Sequence, residues 1–293
     1  MSILLLGFPE YEAQAHRLAT TLGCDWQRID VHHFPDEESL VSLPTELPEH
    51  VIILRSLDHP NNKLIELFFT AQTARQLGAK RLSLVAPYLA YMRQDAAMKP
   101  GQAISQQIIG ALLAQHFDDV ITVDPHLHRI NHLNQAIPLK NAISLSAADL
   151  IADFLARQFD HALLIGPDSE SEQWVSQVAQ QINFDFAVCQ KIREGDKQVR
   201  IQLPDRDFSQ KTIILIDDMA STGRTLCKAS QQLVQRHAAQ VNAIVTHGLF
   251  SQDAEDFLQQ SGIQNIWSTD SISHHSNRVE LAPLLASAIQ AME

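Results

Sequence analysis

The strongest constraint on how this chain can fold is its regular alternation of short apolar runs with longer amphipathic stretches. The apolar runs are residues 3–6, 51–54, 82–86, 120–123, 162–165 and 213–216. Between them, as in residues 64–77, apolar side chains recur at the spacing that places them along one face of a helix. Continuous apolar strands that alternate with helices predict parallel βαβ units, with helices covering both faces of each sheet.

The same order of elements occurs twice along the chain. In the first half, a strand leads through a polar loop to a helix, and a later strand at 82–86 opens into a long polar loop. In the second half, the strand at 213–216 opens into a polar loop in the same way. We therefore predict two tandem α/β domains, residues 1–145 and 146–293, each with a parallel sheet flanked by helices.

Composition argues against two classes of partner. The chain has 22 Lys and Arg against 34 Asp and Glu, a net charge of −12 with His neutral, and this charge repels the phosphate backbone of nucleic acids. No apolar run approaches the ~18 residues of a membrane span, so we expect neither a nucleic-acid nor a membrane partner. Three scattered cysteines, Cys24, Cys189 and Cys227, form no CxxC pair and predict a reducing, cytoplasmic environment.

The segment after the apolar run at 213–216 has the features of a phosphate-binding loop. It consists of Asp217, Asp218, Met219, Ala220, Ser221, Thr222, Gly223, Arg224 and Thr225. A helix is predicted to follow, and a helix N-terminus offers unpaired N–H groups and positive potential to a phosphate. The hydroxyl groups add donors, and Gly223 allows close backbone approach. A simple helix cap is the alternative, but the ordered strand, acids, hydroxyl turn and helix favour phosphate binding.

This loop resembles the phosphoribosyl-pyrophosphate loop of type I phosphoribosyltransferase folds. Four further segments narrow the resemblance to the ribose-phosphate diphosphokinase family, also called phosphoribosyl pyrophosphate synthetases. They are Phe-Pro-Asp-Glu-Glu at 34–38, Tyr-Met-Arg-Gln-Asp at 91–95, Val-Asp-Pro-His at 123–126 and Lys-Ile-Arg at 191–193. The resemblance covers nearly the whole chain. It implies two tandem type I phosphoribosyltransferase-like domains, with ATP-binding segments in the first and the ribose 5-phosphate loop in the second.

Six residues of the first half are expected from the resemblance to bind ATP. They are Phe34, Asp36, Glu37, Glu38, Arg93 and Gln94. Arg93 offers a fork for phosphate oxygens, and Gln94 can both donate to and accept from an adenine edge. Phe34 could stack on the purine, although an aromatic residue taken alone favours a core position. Without the resemblance, residues 34–38 predict a solvated hairpin tip and Arg93 a surface turn.

The ribose 5-phosphate site is expected in the second half. The resemblance assigns to it Asp217, Asp218, Ser221, Thr222, Gly223, Arg224 and Thr225, together with Arg193. The two aspartates would repel a phosphate, so they suit ribose hydroxyls or a bound cation.

Lys191 and Arg193 are expected to be the catalytic residues. Side chains at i and i+2 of a strand point to one side, so both could reach one phosphate cluster. Taken alone, they would form a solvated basic strand end before the polar, turn-prone residues 194–198. The resemblance implies that they belong to the catalytic flexible loop of the family.

A Mg²⁺ site is expected at two strand ends. His126 follows a strand in the first half, and Asp168 ends a strand in the second. Carboxylates suit Mg²⁺ beside substrate phosphates, and the resemblance implies that His126 and Asp168 share one ion. Asp124 is the less favoured alternative ligand.

The activity that the resemblance implies is transfer of the diphosphoryl group of ATP to O1 of D-ribose 5-phosphate by a homo-oligomeric enzyme of nucleotide biosynthesis. A non-catalytic phosphoribosyl-pyrophosphate-binding subunit is one alternative, but it should lack Lys191 and the ATP-site residues. A base-using phosphoribosyltransferase, the other alternative, would need only one such domain. The chain departs from the usual pattern at Glu37, at residues 169–172 and at Arg224, where glycine or small residues are common. We therefore expect a divergent member.

Overall fold

The fold is described from a computed structural model, in residues 2–127, 129–194, 198–251 and 253–292, with the backbone alone in 192–194 and 198–200. The chain divides into two compact units, Met1–Leu145 together with Leu281–Glu293, and Ser146–Glu280. The sequence analysis placed residues 281–293 in the second domain, and the structure places them in the first unit instead.

The described residues form sixteen strands and eight α-helices. The strands are β1 (Ile3–Gly7), β2 (Asp25–Arg28), β3 (Asp30–His33), β4 (Ser39–Ser42), β5 (His50–Leu54), β6 (Arg81–Val85), β7 (Asp119–Val123), β8 (Asn141–Leu145), β9 (Leu163–Gly166), β10 (Asp185–Val188), β11 (Gln190–Glu194), β12 (Gln198–Gln202), β13 (Thr212–Ala220), β14 (Gln240–Gly248), β15 (Asn265–Thr269) and β16 (Asn277–Val279). The helices are α1 (Glu12–Leu22), α2 (Pro60–Gln76), α3 (Ser105–His116), α4 (Ala148–Gln158), α5 (Glu172–Ile182), α6 (Arg224–Gln235), α7 (Ala254–Gln260) and α8 (Ala282–Gln290).

The first unit is built on a six-stranded sheet of order β2-β1-β5-β6-β7-β8, in which every pair is parallel. Its central strands are buried because their residues are apolar on both faces. Asp119, at the start of β7, accepts hydrogen bonds from Arg81, Ser83 and Asn141 at 2.8, 2.7 and 2.6 Å. This buried carboxylate connects β6, β7 and β8 at their amino ends.

Residues 281–293 lie with this unit because of two contacts. Helix α8 packs against α1 through a face that includes Leu285 and Ile289. In addition, Nη2 of Arg81 donates to the carbonyl oxygen of Met292 at 3.5 Å. An apolar helix at the end of a chain does not reveal which sheet it covers, so the sequence pattern assigned it to the nearer domain.

The second unit repeats the architecture, with strand order β10-β9-β13-β14-β15-β16 and parallel pairing throughout. Two six-stranded parallel sheets flanked by helices confirm the predicted fold class. Antiparallel hairpins β3–β4 and β11–β12 are additions to this plan. Among the described residues, no helix combines the length and apolar character needed to cross a bilayer.

Candidate active site

The predicted phosphate loop lies at the carboxyl end of β13 and leads directly into α6. The strand is longer than predicted and includes Asp217 and Asp218 before it ends at Ala220. Gly223 precedes α6 with φ +65°, and a Cβ there would lie 2.9 Å from Cγ of Leu258. The backbone conformation and the close approach both require glycine at this position.

The chain segment after β14 holds the phosphate loop through backbone hydrogen bonds. The N–H of Phe250 donates to Ala220 O, and the N–H of Ser251 donates to Ser221 O, both at 2.9 Å. Thr222 and Arg224 are exposed and Ser221 and Thr225 half-buried. A cavity of about 320 Å³ beside the loop is lined by Thr222, Arg224, Ser251, Asp253, Ala254 and Phe257. The loop is thus braced on one side and open to a ligand on the other.

Three carboxylates form one cluster beside the loop. Burial raises the pKa of Asp217 well above its usual range, and the negative charges of Asp218 and Asp168 raise it further. One oxygen of Asp217 accepts the backbone N–H of Asp218 at 3.0 Å. Mutual repulsion of this kind disfavours ionisation, and a cation beside the carboxylates would relieve it.

Asp168 and Lys191 meet at the carboxyl ends of β9 and β10. Asp168 is 6% exposed, and its Oδ1 accepts the N–H of Glu170 at 3.0 Å. Nζ of Lys191 lies 3.5 Å from Oδ2 of Asp168. The Ser171 hydroxyl donates to Asp168 O at 2.6 Å and closes the turn in which the usual family pattern has glycines.

Lys191 and Arg193 lie on β11, which pairs with β12 as a hairpin. The predicted polar loop at 194–198 is therefore partly strand, because residues 194 and 198 pair with each other. The side chain of Arg193 and residues 195–197 lie outside the described residues. Nearby Cys189 is buried, and burial, with a contribution from Asp168, raises the pKa of its thiol to about 12. A neutral thiol of this kind is not a nucleophile at physiological pH.

In the first unit, the predicted ATP segment 34–38 forms the tip of the β3–β4 hairpin. Phe34 is 43% exposed, so the alternative of a core aromatic is wrong; Asp36, Glu37 and Glu38 are exposed as well. The N–H of Glu37 donates to Phe34 O at 2.9 Å, and that of Phe34 to Glu38 O at 2.8 Å. Glu37 has φ +71°, a left-handed conformation that favours glycine in three-residue hairpin loops. The left-handed turn thus explains why the usual family pattern has glycine at the position of Glu37.

The loop that carries Arg93 and Gln94 follows β6 and is held by the start of α3. Met92 is buried, and its carbonyl oxygen accepts from the side chain of Gln106 at 3.1 Å. The Ser105 hydroxyl donates to Oε1 of Gln94 at 2.8 Å. Arg93 and Gln94 themselves are exposed, so an anchored loop presents both side chains to solvent.

His126 follows β7 in a strained stretch of backbone. Asp124 and His126 both have positive φ, +39° and +54°, and the Asp124 N–H donates to Leu145 O at 2.9 Å. Backbone strain of this kind concentrates at functional sites. His126 is half-buried and Asp124 buried, and the sharing of one Mg²⁺ by His126 and Asp168 stays a prediction.

Sequence reasoning missed the buried pair of Glu66 and Arg55. Glu66 lies on the buried face of α2. The apolar residues of 64–77 predict a buried face that includes Ile65, but Ile65 is exposed. A possible signal was that Glu66 precedes Thr70 and Ala74 by four and eight residues, the spacing of one helix face.

Replacing Glu37 by glycine should leave stability unchanged or raise it. A left-handed φ costs a non-glycine residue about 1–2 kcal/mol, whereas the extra freedom of glycine in the unfolded chain costs roughly 0.5–1 kcal/mol. We therefore expect a net gain of up to about 1.5 kcal/mol in the free energy of unfolding, measured by thermal unfolding. The control Asp36→Gly, whose φ is not left-handed, should lower stability. Equal losses in both variants would contradict the strain at Glu37.

Replacing Asp217 by asparagine should stabilise the protein at neutral pH when ligand and metal are absent. Because the pKa of Asp217 is raised in the folded state, the folded state binds more protons between the unfolded value of about 4 and the folded value, and stability falls as pH rises through this window. Asparagine removes that loss and keeps an oxygen that accepts the Asp218 N–H.

We expect the melting temperature of Asp217→Asn in EDTA at pH 7 to exceed that of the wild type, by ~2–4 °C for each kcal/mol relieved. The difference should disappear below pH ~4. Asp153→Asn, at an exposed position of α4, should leave the melting temperature unchanged. An Asp217→Asn variant that melts at or below the wild-type temperature at pH 7 would show that burial and the neighbouring charges do not raise the pKa of Asp217.

Comparison with known proteins identifies relatives over the whole chain. Residues 3–116 match the N-terminal domain of ribose phosphate pyrophosphokinase, and residues 136–273 match the phosphoribosyl transferase domain. The ribose-phosphate pyrophosphokinase of Methanopyrus kandleri is 30% identical over 98% of this chain and 99% of its own. That of Sulfolobus acidocaldarius is 30% identical over 90% and 91%, and ribose-phosphate pyrophosphokinase 4 of Saccharomyces cerevisiae is 28% identical over 99% and 92%.

A solved structure shows the same fold. The phosphoribosylpyrophosphate synthetase from Mycobacterium smegmatis superimposes with a TM-score of 0.86 at 23% identity, over 100% of this chain and 99% of its own. Sequence similarity to the curated relatives extends through both units. The chain therefore belongs to the ribose-phosphate pyrophosphokinase family, which confirms the resemblance found in its sequence.

Proposed function

We propose that this protein is a ribose-phosphate diphosphokinase, which transfers the diphosphoryl group of ATP to O1 of D-ribose 5-phosphate and releases AMP. The observation that carries the proposal is the position of Lys191, 3.5 Å from Asp168, in a unit that also holds the braced phosphate loop. A subunit that only bound phosphoribosyl pyrophosphate would need the loop but not this lysine. Family membership over nearly the full length supports the same reaction.

Ribose 5-phosphate binds, in this proposal, at the loop after β13. The N–H groups at the start of α6 and the hydroxyls of Ser221, Thr222 and Thr225 receive the 5-phosphate, because they are donors at a helix N-terminus. Gly223 lets the backbone approach the 5-phosphate closely, and Arg224 adds a positive charge at the cavity beside the loop. Asp217 and Asp218 accept from the ribose hydroxyls, and Arg193 belongs to the same site.

ATP binds through the exposed side chains of the first unit. Phe34 offers its face to the purine, as an exposed aromatic on a braced hairpin tip can do. Asp36, Glu37 and Glu38 contact the amino group or the metal shell, while Arg93 takes a phosphate and Gln94 the adenine edge.

We propose a divalent cation beside the carboxylate of Asp168. Asp168 supplies an oxygen ligand, the kind that Mg²⁺ prefers. Burial, together with the charges of Asp218 and Asp168, raises the pKa of nearby Asp217, and a cation would offset part of that negative charge. We propose Mg²⁺, with Asp168 and His126 as its protein ligands. The ion supplies charge neutralisation to the phosphates of the substrate.

The residues of this chain contribute positioning and charge to the transfer. O1 of the ribose forms a bond to the β-phosphorus of ATP, the bond from that phosphorus to the α-β bridging oxygen breaks, and AMP leaves with that oxygen. Lys191 and Arg193 neutralise negative charge that develops on the transferred group. The proton of O1 is released, and we assign no general base.

The setting of the reaction is part of the proposal. All three cysteines are free thiols, and Cys189 and Cys227 are buried, which supports a reducing compartment, the cytoplasm. A homo-oligomer that acts in nucleotide biosynthesis is proposed from the family resemblance.

AMP release measured with and without ribose 5-phosphate tests the proposed reaction. We expect AMP formation only when ATP, ribose 5-phosphate and Mg²⁺ are all present, and its loss when EDTA is added. Binding of phosphoribosyl pyrophosphate without AMP formation would instead identify a non-catalytic subunit. Formation of a nucleotide from phosphoribosyl pyrophosphate and a free base would identify a phosphoribosyltransferase.

Replacing Lys191 by alanine should lower kcat about 10²–10³-fold with little change in either KM, because the charge acts mainly in the transition state. Steady-state kinetics of AMP release measures both parameters. Lys211→Ala is the matched control, since Lys211 is exposed and precedes β13 at the opposite edge of the sheet. An unchanged kcat in Lys191→Ala would remove this lysine from the mechanism.

A further inference from the structure

A buried carboxylate connects the β3–β4 hairpin to α2 of the first unit, in addition to the packing of Val31 and Val41 against the core. Glu66, on α2, is 2% exposed. Its Oε1 accepts the hydroxyl of Ser39 at 2.8 Å and lies 2.8 Å from Nε2 of His33. His33 is the last residue of β3 and Ser39 the first of β4, so the two contacts flank the exposed tip at 34–38.

The other oxygen of Glu66 is held by the core. Nη2 of Arg55 donates to Oε2 of Glu66 at 2.5 Å, and Nε of Arg55 donates to Glu10 at 2.8 Å. Arg55 is 3% exposed, and its guanidinium lies 3.7 Å from the ring centroid of buried Phe8. Both oxygens of Glu66 therefore have fixed partners, one set in the core and one in the hairpin.

This carboxylate remains charged although it is buried. Burial raises its pKa, but the hydrogen bond and charge of Arg55, together with the hydrogen bonds from His33 and Ser39, outweigh burial and hold the pKa below its usual value. Hydrogen bonds to a charged acceptor are the strong ones. A buried charge network adds little stability compared with an apolar core of the same shape, so its main effect here is to fix a geometry.

We propose that Glu66 is a positioning residue for ATP. Glu66 holds the hairpin in the conformation in which Phe34, Asp36 and Glu38 can contact the nucleotide. This inference rests on the proposed function of the hairpin tip. Glu66 touches no substrate in this role. Glu66 restricts the conformations of the hairpin tip before ATP binds. Less conformational entropy is then lost on binding, so the affinity for ATP is higher.

Ser39→Ala is the principal test, because it removes a hairpin contact and leaves the buried pair of Arg55 and Glu66 intact. We expect KM for ATP to rise about tenfold or more, the factor that corresponds to a hydrogen bond to a charged group. KM for ribose 5-phosphate and kcat should stay within about twofold of the wild type. Ser39→Thr, which keeps a hydroxyl, should restore the affinity for ATP.

Two further variants separate positioning from stability. Glu66→Gln removes the negative charge that binds His33 and Ser39 of the hairpin. It should raise KM for ATP at least as much as Ser39→Ala does. Glu49→Gln, at an exposed glutamate of the same unit, should change neither KM. A merely structural role would lower the melting temperature of Ser39→Ala while KM for ATP stays unchanged, and that result would overturn the inference. A wild-type protein that forms no AMP would instead overturn the proposed function.

Discussion

A parallel β-sheet brings the carboxyl ends of all its strands to one edge, and both main sheets of this protein are parallel throughout. In the second unit, Asp168 follows β9, Lys191 follows β10 and the phosphate loop follows β13. These strands are neighbours in the order β10-β9-β13. The order of the strands is therefore enough to bring together three segments that are far apart in sequence. In the first unit, the segments that carry Arg93 and His126 follow β6 and β7, which are also neighbours in their sheet.

Glu66 and Asp217, one in each unit, have opposite electrostatic surroundings. Glu66 has a partner for each oxygen, and its pKa lies below the usual value because these partners outweigh the effect of burial. Asp217 lies beside Asp168 and Asp218, and its pKa is raised by burial and by their charges. The first arrangement fixes a scaffold. The second carries repulsion that ligands can relieve, as is common where activity is obtained at the expense of stability.

Most of the fold could be predicted because the central strands are apolar on both faces and the helices between them have one apolar face. The sequence predicted a hairpin tip at 34–38 as one reading, but not the bounds of its strands β3 and β4, since these strands are short and largely exposed. The buried face of α2 was placed wrongly at Ile65 and Glu66 for a different reason. A glutamate side chain is expected to be exposed to solvent unless a buried cation is its partner. Here that partner is Arg55, which belongs to another part of the structure and lies eleven residues away in the sequence.

The sequence alone determined the alternation of the apolar strands with helices, the family and the motifs, because these depend on local periodicity and on the identity of neighbouring residues. Tertiary structure alone decided that residues 281–293 belong to the first unit, that Lys191 lies beside Asp168 across 23 positions, and that Glu66 binds Ser39 across 27 positions. It also decided that Asp217 has a raised pKa. Burial and electrostatic fields depend on which distant groups are brought together, and a linear pattern does not contain that information.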